Sequence, residues 1–327
     1  KKTKNKLYLL NLCINFNFEK QFLPPVYTCV FIVGLLANGW ALKCLLQNWK
    51  KLGCVNVFVL NLGLADILYL FTLPFLMVYY IKGEWIFGQT PCKATRFLFS
   101  VNLYCSLAFL TCISVYRYLA IVHPMRVHGR MTVTRSVAIS AAVWMLVVVQ
   151  SFPDVFFLKT SENKSGCFDT TTSEYVEDYM TYSLGWTFTG FVVPSVITLG
   201  CYGHVILVLC RKNNVDKALK GRTLKLMIVL VVLFSVCYIP YHVLKNLNLW
   251  SRVLQKQDKC YGWFNGVYVT HRICRGLVSL NSALNPLVYL FVSEDIAVQI
   301  RKLHSGFRRM SFFLFTNVVP QTDENQL

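Results

Sequence analysis

Charged residues are scarce in this chain, and acidic residues are the scarcest. Asp, Glu, Lys and Arg make up 15% of the 327 residues, where soluble domains carry about 25%. The balance is also uneven, with 33 Lys and Arg against 15 Asp and Glu. Hydrophobic residues reach 55%, and the mean hydropathy is +0.47. These values exclude an ordinary soluble domain and indicate a membrane protein.

The chain also lacks the patterns of several functional classes. It has no nucleophile and base at catalytic spacing, no metal-ligand spacing and no glycine-rich phosphate loop, so an enzyme is not expected. No internal repeat is evident, which argues against a transporter built from repeats. The basic residues flank apolar segments instead of forming a patch of their own. Nucleic acid is therefore not an expected partner.

Seven apolar blocks are long enough to cross a bilayer, which takes about 20 helical residues. They predict an all-α membrane protein, a bundle of seven transmembrane helices at 23–47, 55–81, 93–121, 134–158, 181–210, 223–249 and 264–292. The expected domains are an N-terminal segment at 1–22, the seven-helix domain at 23–292, a short basic amphipathic helix on the inner membrane surface at 293–307, and a tail at 308–327.

Basic residues concentrate in the linkers after the first, third and fifth blocks and in the tail, whereas the linker after the fourth block is acidic. Positive charge favours the cytoplasmic side, so the N-terminus is predicted to lie outside the cell, at the plasma membrane. The lysines within residues 1–6 oppose this orientation, but the three linkers and the tail outweigh them. Asn163, in the acidic linker, then becomes an extracellular glycosylation candidate.

Four of the thirteen cysteines fall on the predicted outer side: Cys13, Cys92, Cys167 and Cys260. An even set in an oxidising compartment predicts two disulfides, and four cysteines allow three pairings. The sequence does not choose among the pairings. Our working assignment joins Cys92 to Cys167, which would fasten the loop after helix four to helix three, and Cys13 to Cys260, which would tie the N-terminus to the loop before helix seven.

Four cationic side chains lie in or at the outer mouths of apolar segments: Arg96, Lys245, Arg272 and Arg275. A charge at the centre of a bilayer costs about 2.5–3.5 kcal/mol or more, so such residues are rare without a function. Arg binds carboxylate or phosphate through two parallel hydrogen bonds, and Lys supplies a mobile point charge. Together they predict a pocket for an anion. Singly, Lys245 and Arg272 could reach the outer interface, and Arg96 could pair with Asp169 or Glu174.

Five short motifs follow one another along the predicted helices: Leu36-Ala37-Asn38, Asn61-Leu62 with Ala65-Asp66, Tyr116-Arg117-Tyr118, Phe234 with Cys237-Tyr238 and Pro240, and Asn285-Pro286 with Tyr289. In this order, over residues 23–305, they resemble the helix landmarks of rhodopsin-like G-protein-coupled receptors. The family usually has an acid before the arginine of the third-helix motif, and Tyr116 stands there instead. An ion pair between Arg117 and that neighbour therefore cannot form.

The resemblance implies a sodium ion, and no other cofactor, among polar residues at one depth of the bundle: Asp66, Ser106, Asn281 and Asn285. Asp66 is the only acidic residue deep inside a predicted helix, and a lone buried carboxylate either takes up a proton or binds a cation. The resemblance also implies a cytoplasmic switch at Arg117 and Tyr289. A heterotrimeric G protein and arrestin are the implied partners.

Two ligand classes of this family lack their key residue here. Amine receptors need an acid in helix three, and residues 93–121 contain none; retinal pigments need a lysine in helix seven, and residues 264–292 contain none. Other stretches, among them 92–97, 167–171, 242–245 and 275–282, resemble the metabotropic purinergic nucleotide receptors. The likeness is greatest to the ADP-responsive members, which signal through Gq.

This second resemblance implies a ligand pocket that draws on helices three, six and seven and one loop acid: Arg96, Tyr104, Asp169, Lys245 and Arg275. It likens Arg252 to an outer-loop arginine that takes part in nucleotide docking. His242, Asn248 and Arg272 complete the expected ligand set as neighbouring polar groups on helices six and seven.

Two positions depart from the ADP-responsive pattern. Ser100 stands where a histidine is usual, and His271-Arg272 stands where Tyr-Gln is usual. An additional cation at Arg272 would favour more phosphates, or a dicarboxylate. The expected function is a cell-surface receptor for extracellular nucleotides, ADP before ATP, coupled through Gq to phospholipase C and calcium release. A receptor for a dicarboxylate such as succinate or 2-oxoglutarate is the alternative.

Overall fold

A computed structural model of the chain describes residues 17–47, 52–127, 131–160, 166–211, 217–292 and 298. Seven long helices account for most of this part, and the predicted all-α bundle is confirmed. In chain order they are α1 at Asn17–Gln47, α2 at Cys54–Leu70 and Leu73–Lys82, α3 at Gln89–Val122, α4 at Val133–Ser151, α5 at Val176–Thr187 and Val193–Arg211, α6 at Lys217–Leu233 and Ile239–Lys256, and α7 at Phe264–Val292.

Within the described residues, α1 to α6 are long and apolar enough to cross a membrane. Helix α7 has 29 residues, enough to span the roughly 30 Å of hydrocarbon, but its polar and charged side chains reduce its hydropathy. Many of them are buried, including His271, Arg275 and Asn285. Because α7 packs against α1, α2 and α6, these groups face the protein interior and not the lipid.

Helix α3 occupies the centre of the bundle. It packs against α2, α4 and α5, and α7 closes the ring of helices by packing against both α6 and α1. The buried face of α3 carries polar residues at several depths, from Arg96 and Asn102 to Ser114. The functional groups of the other helices are therefore arranged around α3.

Several helices extend beyond the apolar blocks that predict them. Helix α1 begins at Asn17 instead of 23, and α6 ends at Lys256 instead of 249. Hydropathy detects only the part of a helix that matches the hydrocarbon thickness, whereas backbone hydrogen bonding continues past it. As a result, Glu19 and Arg252 lie on helices and not in flanking segments.

Four interior prolines lie where a helix changes its geometry. Pro74 follows the break at 71–72 in α2, and Pro153 lies in the 3-10 turn Phe152–Val155 that extends α4. Pro194 and Pro240 each come just after a π turn, at Phe188–Val192 in α5 and at Phe234–Tyr238 in α6. Proline has no N–H and its ring crowds the carbonyl four residues earlier, so the backbone widens or breaks there.

The loop between α4 and α5 folds back over one end of the bundle. The disulfide between Cys92 and Cys167 joins this loop to the start of α3, as the working assignment expected. The amide of Phe168 donates to the carbonyl of Lys159 at 2.7 Å, and that of Thr172 to the carbonyl of Leu158 at 3.0 Å. We refer to this end as the disulfide end and to the opposite one as the Arg117 end.

Some predicted features lie outside the described residues. These are Asn163, residues 1–16 of the N-terminal segment with Cys13, the amphipathic helix at 293–307 apart from residue 298, and the tail at 308–327. Cys260, the partner expected for Cys13, is disulfide-bonded.

Candidate ligand-binding site

Three arginines meet on one loop carboxylate at the disulfide end. Arg96 from α3 and Arg275 from α7 reach Asp169 Oδ1 at 2.7 and 2.5 Å, and Arg272 Nη1 pairs with Oδ2. Arg96 also donates to the carbonyl of Cys167 at 2.8 Å. Arg96 and Arg275 are each only 2% exposed. The alternative in which Arg96 pairs with Asp169 is therefore what the structure contains, and Arg272 and Arg275 share that pair.

Each α7 arginine has a second set of partners. Arg275 Nε donates to the hydroxyl of Tyr27 at 3.2 Å, and its guanidinium lies 4.7 Å from the centroid of the Phe99 ring. Arg272 Nε pairs with Glu19 at 2.8 Å. Buried guanidinium groups need such partners because desolvation of an unpaired charge is costly. Arg272, the cation that departs from the nucleotide-receptor pattern, thus has two carboxylate partners within the protein.

Lys245 differs from these arginines. It is 8% exposed on α6, and among the described residues no carboxylate lies within ion-pair distance of its ammonium group. It lies within electrostatic range of Asp154, Lys159 and Arg275. Asp154 is itself paired with Lys159 at 2.9 Å. Lys245 is therefore a buried cation whose neighbouring carboxylate is already engaged.

We define the cationic cluster as the six cations gathered at the disulfide end: Arg96, Lys159, Lys245, Arg252, Arg272 and Arg275. Among the described residues, three carboxylates pair with its members: Glu19, Asp154 and Asp169. The cluster therefore carries a surplus of positive charge in a largely buried region. Such a surplus favours an anionic ligand.

An aromatic group lies beside the cluster, between α3, α5 and α6. The rings of Tyr104 and Trp186 are stacked, with centroids 3.8 Å apart and planes 3° from parallel. His242, one turn before Lys245, stacks on Phe191 at 4.3 Å. A Cβ atom at Gly190 would clash with both Trp186 and Tyr104, so the π turn that contains Gly190 can approach α3 only with glycine there.

The predicted polar residues of α3 and α6 are buried with few partners. The hydroxyl of Tyr104 and both ring nitrogens of His242 have no hydrogen-bond partner among the described residues. Asn248, one turn after Lys245, is also buried. Residues three or four apart share a face of a helix, so α6 presents His242, Lys245 and Asn248 on one face. The shared face of His242 and Lys245 that the spacing predicted is therefore present, and Asn248 lies beside Lys245.

Arg252 and Lys159 contact the loop from two sides. Arg252, expected in a loop, lies on α6, where its two terminal nitrogens donate to Thr170 Oγ1 and to the carbonyl of Thr171, both at 2.6 Å. Lys159 donates to the carbonyl of Thr170 at 2.6 Å and is completely buried. Burial lowers the pKa of Lys159, and the carboxylate of Asp154 opposes that shift.

Sequence reasoning did not identify Lys159 or Glu19 as site residues. Lys159 follows directly after predicted helix four, and Glu19 falls within the predicted N-terminal segment, so both resembled ordinary flanking charges. One signal was present for Lys159. Asp154 and Lys159 have opposite charges and lie at the same end of one apolar segment, a pattern that favours a local ion pair.

A second polar group lies deeper in the bundle, around Asp66. Asp66 Oδ1 accepts from Asn102 at 2.9 Å, and Oδ2 accepts from Asn285 at 2.8 Å and from the hydroxyl of Tyr289 at 3.2 Å. Tyr289 also donates to Asn38 at 3.0 Å. The expected switch residue Tyr289 therefore contacts Asp66 directly.

The four residues expected around a sodium ion are only partly in contact with one another. Asn285 contacts Asp66, whereas Asn281 donates to the hydroxyl of Tyr238, and the hydroxyl of Ser106 has no hydrogen-bond partner among the described residues. The side-chain oxygens of Asn281 and Asn285 likewise accept no hydrogen bond there. Unpartnered oxygens near a carboxylate are ligands that suit a hard cation, so the residues present fit sodium chemically.

Comparison with known proteins agrees with this arrangement. The family described as 7 transmembrane receptor (rhodopsin family) matches residues 37–289. Purinoceptor 1 of Homo sapiens is 37% identical over 320 residues, which cover 94% of this chain and 86% of that protein. The Cavia porcellus protein of the same name is 40% identical over 300 residues, 90% of this chain and 79% of that one.

A relative with a different name shows the range of ligands among similar proteins. The 2-oxoglutarate receptor 1 of Mus musculus is 35% identical over 282 residues, 85% of this chain and 83% of that protein. All these relatives are receptors, so the chain is a receptor and not an enzyme, with an extracellular ligand and a heterotrimeric G protein as partners. This chain belongs to the rhodopsin family of seven-transmembrane G-protein-coupled receptors.

Proposed function

We propose that this receptor responds to an extracellular nucleotide, ADP first and ATP second, and that it signals through Gq to phospholipase C and calcium release. The observation that carries this proposal is Lys245, a buried cation with no carboxylate at ion-pair distance among the described residues. Its neighbours in the cationic cluster outnumber the carboxylates that pair with them. An anion from outside the protein is the natural counter-charge.

A nucleotide suits the site because it combines an anion with an aromatic ring. Lys245 lies one turn after His242, whose ring stacks on Phe191, and His242 is near the Tyr104–Trp186 stack. A phosphate at Lys245 would therefore leave the base beside aromatic surfaces and unpartnered polar edges. Stacked aromatic pairs contribute about 0.5–1.5 kcal/mol beyond burial. The name of the purinoceptor relatives agrees with this ligand class.

A dicarboxylate is the second candidate, and the 2-oxoglutarate receptor relative favours it. From the sequence alone, Arg272 is a cation additional to the nucleotide-receptor pattern, and it would suit the second carboxylate of such a ligand. In the structure Arg272 pairs with Glu19 and Asp169, so its charge is balanced from within. A dicarboxylate also has no ring to use the aromatic group. Both observations favour the nucleotide.

Ligand binding would rearrange the arginines around Asp169. An incoming phosphate competes with the Asp169 carboxylate for Arg96 and Arg275, since each guanidinium binds either anion through the same fork of N–H groups. Binding that differs between two arrangements of α3, α6 and α7 shifts the population toward one of them. The Asp66–Tyr289 contact offers a route from these helices toward the Arg117 end.

We place the disulfide end outside the cell, together with the N-terminal segment 1–22 and the glycosylation candidate Asn163. The Arg117 end, the amphipathic helix at 293–307 and the tail at 308–327 then face the cytoplasm, where the G protein and arrestin bind. A sodium ion near Asp66, with oxygens from Ser106, Asn281 and Asn285, belongs to the same proposal. The basic linkers support this orientation.

A calcium assay tests the proposed ligand class. Cells that express the receptor would be challenged with ADP, ATP, UDP, UTP, succinate and 2-oxoglutarate, and we expect ADP to act at the lowest concentration. Loss of one charged hydrogen bond costs about 1.5–3 kcal/mol, so Lys245→Ala should reduce ADP potency roughly ten- to a hundredfold.

Lys256→Ala is the matched control, because Lys256 is an exposed lysine on the same helix that pairs with Glu177 on the surface. We expect its ADP potency to stay within about threefold of wild type. A receptor that is silent to every nucleotide but responds to a dicarboxylate would replace the nucleotide proposal with the second candidate. Equal potency of wild type and Lys245→Ala at equal surface expression would refute the pocket.

A further inference from the structure

Residues 169–171 of the α4–α5 loop are contacted by cations from four helical regions. Arg96 of α3 and the two α7 arginines pair with Asp169. Lys159, beyond the end of α4, donates to the carbonyl of Thr170. Arg252 of α6 donates to the hydroxyl of Thr170 and to the carbonyl of Thr171. We call residues 169–171 the strap. Its position, and with it the position of the Asp169 carboxylate, depends on these contacts.

The guanidinium of Arg252 is hydrogen-bonded to the strap. Its Nη1 and Nη2 donate at 2.6 Å to the hydroxyl of Thr170 and the carbonyl of Thr171, and its guanidinium lies 6.0 Å from the centroid of the Phe168 ring. An arginine binds a phosphate best through two parallel N–H groups of its fork. In Arg252 both terminal nitrogens are engaged with the loop.

Thr170 is bound on two sides. Its hydroxyl accepts from Arg252, its carbonyl accepts from Lys159, and its own exposure is 4%. Lys159 is fixed in turn by Asp154 at 2.9 Å. Charged hydrogen bonds to buried acceptors are among the stronger contacts in proteins, because the acceptors would otherwise lose their water without compensation.

We propose that Arg252 is a positioning residue: it holds Thr170 and Thr171, with Lys159 on the other side, so that Asp169 stays between the three arginines. Arg252 does not bind the ligand itself. It attaches the strap to α6, the helix that also carries Lys245, and so couples the loop to that helix. The effect on the loop is independent of the ligand, whereas the effect on potency rests on the proposed nucleotide function.

The first test needs no ligand. Hydrogen exchange would be followed on the purified full-length receptor at the amides of Phe168 and Thr172, which donate to carbonyls at 2.7 and 3.0 Å. We expect Arg252→Ala to speed exchange at both amides by about tenfold or more, because two charged hydrogen bonds to the strap are lost. Lys225→Ala, an exposed cation at the other end of α6, is the control and should leave both rates unchanged. Unchanged rates in Arg252→Ala would overturn the proposal.

The second test separates positioning from ligand contact. ADP potency would be measured for Arg252→Ala, for Thr170→Val, which removes the hydroxyl acceptor without changing the side-chain shape, and for the double variant. Positioning predicts that Thr170→Val weakens ADP potency on its own and that the double variant is no weaker than Arg252→Ala alone, because both changes remove the same contact. It also predicts partial rescue by Arg252→Lys, which keeps a charged donor group but loses the two-nitrogen fork of arginine. Additive losses, or losses confined to Arg252→Ala, would make Arg252 a ligand-binding residue and overturn the proposal.

The two tests distinguish this inference from the proposed function. A wild-type receptor that does not respond to ADP would refute the nucleotide proposal, and the exchange rates would still decide whether Arg252 holds the strap. If ADP activates the wild type and the exchange rates do not change, the proposed function stands and the positioning role fails.

Discussion

The two ends of α3 are bound to their surroundings by different chemistry. At the disulfide end, Arg96 pairs with a loop carboxylate that two other arginines share. Toward the Arg117 end, α3 binds α5 through neutral hydroxyls: Thr111 to Thr198 at 3.1 Å and Ser114 to Tyr202 at 2.5 Å. An ionic ligand can replace an ion pair, whereas neutral hydrogen bonds depend on how the helices are placed. The ion pairs at the disulfide end therefore suit ligand recognition, and the neutral hydrogen bonds toward the Arg117 end suit a response to helix movement.

The neutral contacts matter because Tyr116 stands where the family usually has an acid. We expect the α3–α5 contacts to supply part of the restraint on the resting arrangement that such an acid would give. Tyr118 adds a third α3–α5 contact, with its hydroxyl 3.1 Å from His204 Nδ1. The three α3 residues that make these contacts are three and four positions apart, so they lie on one face of the helix. Charged and neutral ends should therefore respond differently to substitution.

The largest effect is expected at the charged end. Asp169→Asn leaves three arginines around a neutral amide, and breaking a buried ion pair costs about 3–5 kcal/mol. We expect a large fall in the thermal unfolding temperature of the purified receptor and in its surface expression. Glu177→Gln is the control, since Glu177 pairs with Lys256 but is 56% exposed, and an exposed pair is worth about 0–1 kcal/mol. Equal falls in the two variants would contradict a buried ionic centre.

The next effect concerns Asp66, a carboxylate in the otherwise neutral interior. If sodium binds at Asp66, replacing potassium by sodium at equal ionic strength should raise the unfolding temperature of wild type. The stabilisation amounts to about 1.4 kcal/mol at ten times the Kd. Asp66→Asn should abolish the difference between the two salts. A difference of the same size in the variant would place the sodium effect elsewhere.

A smaller effect is expected at the α3–α5 contact. Ser114→Ala removes the hydrogen bond to Tyr202, and a neutral hydrogen bond contributes about 0.5–1.5 kcal/mol. Signalling without ligand should therefore rise by roughly two- to tenfold, measured as basal inositol phosphate at equal surface expression. Ser140→Ala is the matched control, because among the described residues this buried serine binds only a carbonyl of its own helix. Equal basal signalling in both variants would show that the Ser114–Tyr202 contact does not restrain basal signalling.

The smallest effect is expected for Tyr118→Phe. The hydrogen bond between Tyr118 and His204 is exposed to solvent, so water can replace the lost partner and the net cost falls below about 0.5 kcal/mol. Basal signalling should change by less than about twofold. A larger change than that of Ser114→Ala would show that the Tyr118–His204 contact affects basal signalling more than the Ser114–Tyr202 contact, which contradicts this prediction.

The sequence predicted most of the fold because hydropathy and length determine where a helix crosses a membrane. It also named Asp169 as one of two possible partners of Arg96 and placed His242 and Lys245 on one face of a helix. It did not predict the Arg272–Glu19 pair or the Arg252–Thr170 contact. Both depend on a helix that continues past the hydrocarbon, and the second also depends on a loop that the disulfide folds back. Hydropathy contains no information on either feature.

The deep polar group shows a different limit. Family position placed Ser106, Asn281 and Asn285 around a cation at Asp66, but it did not predict the direct hydrogen bonds from Asn102 and Tyr289 to Asp66. Residues at equal depth on different helices meet only if their side chains point to the same space. Helix rotation decides this, and packing against every neighbour sets the rotation. A sequence pattern fixes depth but not rotation.

The most direct measurement is the equilibrium binding of ADP and of adenosine to purified wild type and to Lys245→Met, which removes the charge but keeps a long side chain. If the surplus positive charge recognises the ligand, wild type binds ADP more tightly than adenosine, and Lys245→Met weakens ADP binding about ten- to a hundredfold. Adenosine binding should then stay within about twofold. An equal loss for both ligands, or no loss for ADP, would contradict the account.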